Sequence, residues 1–275
     1  MACNSSSNVY SQENEKYNPD GSELRRLQLR LSSMLKELDS FCKKYDIKYT
    51  LEAGTVLGAY RHKGFIPWDD DIDISMDLKE YKRFCKLLAD NPTPNLRLQS
   101  HETDRLYLNP YAKVRDVHSS IKEQGVGVVY KENGCFIDVF PLEAAFPTLI
   151  AIYHILHKPL FILEHKALHK HRLIVFFANF YYQFLKVFMF FFRIISKLFG
   201  SKSYSYSYGS NLYTFKYQHR KEVFQPSKEM LFEGELYPVP GKTEEYLSTR
   251  YGKSYMQLPK EEDRISHHLE EIVGI

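Results

Sequence analysis

The chain is poor in the features that staple small folds. Its four cysteines, Cys3, Cys42, Cys85 and Cys135, lie far apart and form no CxxC pair, which excludes a zinc ribbon or a compact disulfide scaffold and suits a reducing, cytosolic compartment. Net charge is only +3 over 275 residues, so no global basic field calls for nucleic acid, and no nucleic-acid partner is expected. Tryptophan occurs once, at Trp68. The opening residues, MACNSSSNVYSQENEKYNPDG, have no basic start followed by an apolar core, so no secretory signal is expected; residues 1–21 read as a polar, disordered lead-in.

What is present is an apolar fraction of 44%, enough for one catalytic domain carrying an inserted segment. After Ser22, which with Asp20 is a candidate cap, Leu24, Leu27, Leu31, Leu35, Leu38 and Phe41 recur at helical spacing and predict one buried helix face. Residues 48–51 predict a short strand, and 54–61 a helical turn. Pro67 bars continued helix, and 71–74 alternate polar and apolar as a half-buried strand, with Asp71 and Asp73 on one face and Ile72 and Ile74 inward. Asp77 is placed to cap a second helix reaching Asn91. Strands are expected at 96–99, 111–115 and 136–140, the last carrying Asp138 inside an apolar run.

From Pro147 the composition changes. Residues 147–200 are dominated by aliphatic and aromatic side chains, flanked by Lys166, Lys170, Arg172, Lys197 and Lys202. Lys186 and Arg193 interrupt the run, so it is borderline as a membrane span. Insertion into the interface of an anionic membrane fits the flanking charge, and a buried helical hairpin is the competing expectation. His165 and His169 have the helical spacing of a metal pair but lack a third ligand, which favours an interfacial basic helix. Residues 201–212 read as a low-complexity linker, and 213–275 as the return of the catalytic domain, with a helix ending at Gly252.

Chemistry concentrates in TLEAGTVLGAYRHKGFIPWDDDIDISM, residues 50–76. Asp69, Asp70, Asp71 and Asp73 crowd together, and such like charges repel unless the run lies in open water or a cation compensates. Asp71, Asp73 and Asp138, converging from two adjacent strands, suit Mg²⁺ or Mn²⁺. Gly54 and Thr55, before a helical turn, are candidates to meet a phosphate, with Arg61, Lys63, Lys113 and Arg115 neutralising its charge. Together these parts describe phosphoryl or nucleotidyl transfer, and their order is that of a polymerase-type nucleotidyltransferase: an α+β fold with a mixed sheet and helices.

The run from Gly54 to Ile74, with 111–116, 136–142, Tyr246-Leu247, Tyr251-Gly252, Leu258-Pro259 and His267, resembles the LicD family, which includes bacterial phosphocholine transferases and is related to fukutin-related ribitol-phosphate transferases. The likeness covers about 24–142 and 224–268 and leaves out the apolar insert. It implies a transferase that moves a phospho-alcohol group, most often phosphocholine, from a CDP-linked donor to a hydroxyl of a cell-surface glycan or its lipid-linked precursor, with release of CMP. Asp71 and Asp73 would hold Mg²⁺ against the donor diphosphate, and Asp138 would complete the site and accept the hydroxyl proton. Trp68 and Tyr111 would wall the donor pocket or serve as core, while Asp69 and Asp70 would support the loop. With the insert against a membrane surface, the implied location is the cytoplasmic, inner face. A nucleotide-sugar glycosyltransferase and an inactive membrane-bound scaffold are the alternatives.

Overall fold

The computed structural model describes residues 15–123, 128, 130–166, 172–200, 203–206, 218–264 and 269–273. Helix α1 spans Glu23–Lys44, and Ser22 Oγ accepts from Arg25 N at 3.1 Å. The helix buries Leu27, Leu31, Leu35, Leu38 and Phe41, the predicted stripe. Each such side chain contributes about 1.5–3 kcal/mol on burial. Residues 15–21 depart from the expected lead-in. Asn18 is buried, donating to Gln28 Oε1 at 2.5 Å and accepting from Ser22 Oγ at 3.1 Å, so the chain is tied to α1 before the helix begins.

Strand β1 (Thr50–Leu51) leads into helix α2 (Ala53–His62), a longer element than the single turn expected. Strand β2 (Asp73–Asp77) is followed by α3 (Leu78–Asp90), with Asp77 at the N-cap position but making no side-chain capping bond. Strands β3 (Leu96–Gln99), β4 (Ala112–Asp116), β5 (Ser120–Glu123) and β6 (Phe136–Ala144) follow. The main sheet runs β1-β2-β6-β4-β3. β2 and β6 are parallel, while the other pairs along this path are antiparallel. It is thus a mixed α/β architecture, as the sequence indicated. Ile72, Ile74, Val139 and Val114 are fully buried. Helices α1 and α3 pack on the sheet and meet through Phe41 and Phe84, whose rings lie 6.0 Å apart.

The insert is two helices, α4 (Pro147–Lys166) and α5 (Arg172–Leu198). One side is packed: Tyr153, Leu160, Ala178, Tyr182 and Leu185 are buried with Tyr107, Leu108 and Tyr130 of the catalytic domain. The other side is open, with Phe176 64%, Phe180 69% and Phe190 58% exposed. A fully buried hairpin is therefore excluded. α5 is the one helix among the described residues long and apolar enough to cross a membrane. The side chain of His165 and all of His169 lie outside the described residues.

Residues 203–206 form β7, which pairs with β6 in register Leu142↔Tyr206 and Ala144↔Tyr204. The stretch expected as a linker thus contributes a strand to the main sheet. β8 (His219–Arg220) pairs with β7, α6 covers Lys221–Phe224, and β9 (Lys228–Phe232) and β10 (Glu235–Val239) form a hairpin. In the hairpin turn Glu233 ion-pairs Arg25 at 2.8 Å and donates its N–H to Lys63 O at 2.9 Å, bracing the turn after α2. Helix α7 (Thr243–Tyr251) stops at Gly252, whose φ of 82° is costly for residues with a Cβ. β11 (Leu269–Val273) pairs with β5.

Candidate active site

Register places the carboxylates. Asp73 of β2 lies opposite Asp138 of β6, and Asp138 lies opposite Lys113 of β4, which lies opposite Gln99 of β3. Side chains at paired positions share a face, so these groups form one polar row across four strands. Lys113 Nζ is 3.3 Å from Asp138 Oδ1 and 2.9 Å from Glu123 Oε2.

Asp71 does not sit on the strand as alternation predicted. The backbone turns at Asp69, whose N–H donates to Ile66 O at 2.9 Å, and pairing with β6 begins only where Asp138 N donates to Ile72 O at 2.9 Å. Asp71 is therefore in the turn with Asp69 and Asp70, and ligand oxygens of these three lie within 4.8 Å of one another. Asp71 belongs to both groups, since its charge acts on Asp69 and on Asp73. Although Asp69 and Asp73 keep part of their surface open, burial pushes both carboxyls well above the usual range. The charge of Asp71 adds to this, as does Asp70 for Asp69 and Asp138 for Asp73. Excess negative charge in a partly dry site is what a divalent cation relieves, and all-oxygen ligands suit Mg²⁺ or Mn²⁺.

The Gly-Thr pair organises these acids. A Cβ on Gly54 would lie 2.9 Å from Asp69 Oδ2, so the missing side chain leaves room for that carboxylate. Thr55 Oγ1 accepts from Asp73 N at 2.9 Å and fixes the start of β2. Among the predicted cations, Arg61 is buried, donating through Nε to His62 Nε2 at 2.9 Å and through Nη1 to the carbonyls of Tyr255 and Gln257 at 3.3 Å. Burial and Arg61 hold the His62 imidazole down at about 3, leaving it neutral to accept that bond. Arg61 also opposes the rise of the Asp69 carboxyl. Lys63 is exposed at the opposite end of α2 from Gly54, in a left-handed conformation that ends the helix, with Nζ 3.3 Å from Tyr60 O.

Arg115 is 1% exposed and donates to Gln99, Gly134 O and Glu123. Burial pushes the Glu123 carboxyl up, but Lys113 and Arg115 outweigh it and hold it at about 2. Arg115 therefore anchors Glu123, and Lys113 is the cation that reaches an acid of the row. Trp68 is half-buried, its ring 5.4 Å from Tyr17 with the Arg264 guanidinium 5.5 Å above it. Tyr111 is buried, 4.8 Å from the ring of Phe140 and 6.2 Å from that of Tyr107, so it packs as core. His267 lies outside the described residues.

Sequence reasoning missed two groups. Glu52, fully buried beside Asp73, accepts from the Tyr246 hydroxyl, and the same oxygen of Tyr246 accepts from Ala53 N at 3.0 Å. Burial raises the Glu52 carboxyl, and Arg250 opposes this from α7, acting also on Asp73. Tyr246 and Arg250 stand at i and i+4, a spacing that puts both on one helix face. The second group is Glu164 of α4, 1% exposed, which accepts from Tyr130 Oη at 2.5 Å and Leu108 N at 3.3 Å.

Burial raises the Glu164 carboxyl to about 7 against the hydrogen bonds from Tyr130 and Leu108. Folding then favours its protonated form, so its penalty is absent below the ordinary carboxylate range and complete above about 7. Glu164→Gln is expected to raise stability at pH 8 by about 1–3 kcal/mol and to change it little at pH 4.5; urea unfolding across that range checks both limbs.

The family model described as LicD/FKTN/FKRP, nucleotidyltransferase domain, matches residues 46–179, which hold this acid row. The chain is 30% identical over 265 residues, 90% of its length, to the lipopolysaccharide cholinephosphotransferase LicD of Haemophilus influenzae, and covers 97% of that protein. The chain belongs to the LicD family. Shorter matches join it to uncharacterized proteins of Rickettsia typhi, 42% identical over 60 residues, and Rickettsia prowazekii, 48% identical over 48 residues. These span 22% and 18% of this chain, and 19% and 18% of the respective relatives.

Proposed function

We propose that the protein transfers phosphocholine from CDP-choline to a hydroxyl of a lipopolysaccharide-type glycan or its lipid-linked precursor and releases CMP. The observation that carries this reading is the register of Asp73 against Asp138, with the charge of Asp71 acting on Asp73. The likeness to a lipopolysaccharide cholinephosphotransferase along nearly the whole chain supports the choice of group and acceptor.

Asp71, Asp73 and Asp138 would hold Mg²⁺, with Asp69 and Asp70 completing the acidic turn. The ion supplies charge neutralisation at the donor diphosphate. In the reaction the acceptor oxygen bonds to the phosphorus bearing choline, and the bond from that phosphorus to the bridging oxygen of the diphosphate breaks. CMP departs with the bridging oxygen. Asp138 takes the acceptor's proton, and Lys113, 3.3 Å away, keeps that carboxylate in place.

Incubating the protein with Mg²⁺, a glycan acceptor and, separately, CDP-choline, CDP-ethanolamine, CDP-glycerol and CDP-ribitol tests the assignment. CMP is expected from CDP-choline and is lost with EDTA. No CMP from any donor, with UDP or GDP released from a nucleotide sugar, would replace this reading with a glycosyltransferase.

The exposed phenylalanine face of the insert supports peripheral attachment to the inner face of a membrane. Changing Phe176, Phe180 and Phe184 to serine is expected to cut co-flotation with anionic vesicles about tenfold or more, since each lost apolar contact weakens partitioning. Flotation equal to that of the parent protein would remove the attachment role from this face.

A further inference from the structure

A groove of about 650 Å³ lies between α3 and α5, outside the polar row of Asp73, Asp138 and Lys113. Its walls include Leu98, Tyr153, Tyr182 and Met189, three of which belong to the core shared by the insert and the catalytic domain. Phe190 lines the groove and is also 58% exposed, so it joins the interior to the open face that continues through Val187, Phe191 and Ile194. Lys82, Lys86, Lys186 and Arg193 also line it, with Glu102 as the carboxylate among them. An apolar slot of this size accepts a hydrocarbon chain, and cations along it suit an anionic head group.

The ion pairs at this groove leave its cations open to exchange. Lys86 meets Asp90 at 2.8 Å and Lys186 meets Glu102 at 2.6 Å, and all four side chains are substantially exposed. Such pairs are worth little in water, so a phosphate can displace their carboxylates. Arg193 is different. It holds the largely buried Glu143 through two bonds of 2.7 and 3.0 Å and serves as a fixed wall.

We propose that the groove holds an acyl chain of an anionic phospholipid taken from the bilayer on which α5 rests, with Lys82 and Lys86 at its phosphate. The proposal rests on the membrane-facing reading of the insert and adds a discrete lipid site to it. The groove mouth at Phe190 opens on the face that would touch the bilayer, and the lysines of α3 flank the slot. A lipid seated there would fasten α5 to α3 and orient the catalytic domain on the surface.

Cys85 reports directly on occupancy. It lines the groove and is half-buried, whereas Cys42 and Cys135 are 1% and 0% exposed. In full-length Cys3→Ser protein, alkylation by N-ethylmaleimide is followed at pH 9, because burial pushes the Cys85 thiol up to about 12 and slows the reaction. Dihexanoyl phosphatidylglycerol below its micellar concentration is expected to slow labelling about fivefold at about four times its Kd. Phosphatidylcholine of the same chain length protects less, and glycerol 3-phosphate does not protect.

Lys82→Glu with Lys86→Glu, both exposed positions, removes the phosphatidylglycerol protection. As a second readout, Ala89→Trp at the groove edge lowers the phosphatidylglycerol retained in native mass spectrometry. Equal protection by both lipids, protection by glycerol phosphate alone, or unchanged protection in the double variant overturns the site. Flotation on phosphatidylglycerol vesicles without Cys85 protection overturns the site while membrane attachment stands; absence of flotation overturns both.

Discussion

Replacing Asp73 by asparagine is expected to reduce Mg²⁺-dependent CMP release from CDP-choline by about a thousandfold or more, equivalent to about 4 kcal/mol in the barrier. The same change should leave the protein at least as stable at pH 7–8 in metal-free buffer. Burial and the charges of Asp71 and Asp138 raise the Asp73 carboxyl in the folded protein, so ionising it costs stability at every pH above the ordinary carboxylate range. The amide removes that cost and keeps the shape. Its backbone bonds persist, because Thr55 Oγ1 and Glu52 N engage the main chain of residue 73. Paired measurements of CMP release and urea unfolding decide the matter. Activity near that of the parent protein, or a loss of activity matched by a loss of stability, would refute the role given to this carboxylate.

Removing the positive charge of Arg250 should act in the opposite sense. Arg250→Met is expected to destabilise the fold by about 3 kcal/mol, the scale of leaving a buried charge without its partner. Glu52 is fully buried, and Arg250 opposes the rise of its carboxyl. In a Glu52→Gln background the penalty of Arg250→Met should fall by more than half. Tyr246→Phe takes away the hydroxyl that Glu52 and Ala53 N share and should cost about 1–2 kcal/mol. A double-mutant cycle by urea unfolding measures the coupling. Additive effects of Arg250 and Glu52 would show that the two groups act independently.

Much of this site can be read from the chain because strand alternation and turn chemistry are local. The period-two pattern around Ile72 and Ile74 predicts their burial, and both are fully buried. Asp138 inside an apolar strand announces a carboxylate held by neighbours, and register places it opposite Asp73 and Lys113. Local pattern fails where a distant segment decides. Asp71 is drawn off the strand by the turn at Ile66 and Asp69. The local pattern of Gly54 and Thr55 also did not show that one makes room for Asp69 and the other fixes Asp73. Arg250 and Glu52 are nearly two hundred residues apart and meet only through α7; a basic residue one helical turn after Tyr246 was the available clue. The insert was ambiguous because composition reports how apolar a segment is, and only packing shows that one side is covered and the other open.

The pairing of β7 with β6 has a consequence for how such a protein can vary. Ala144 lies opposite Tyr204, so the two ends of the excursion through 145–203 stand side by side, about 5 Å apart as strand partners do. Topologically, α4 and α5 occupy the loop of a β-hairpin. Loops between paired strands tolerate insertion and exchange, and a tight turn could join the same two strands. A lineage can thus lengthen, shorten or replace the two helices without shifting the register that sets Asp138 against Asp73. What the domain docks against and what it holds between its strands can be inherited separately.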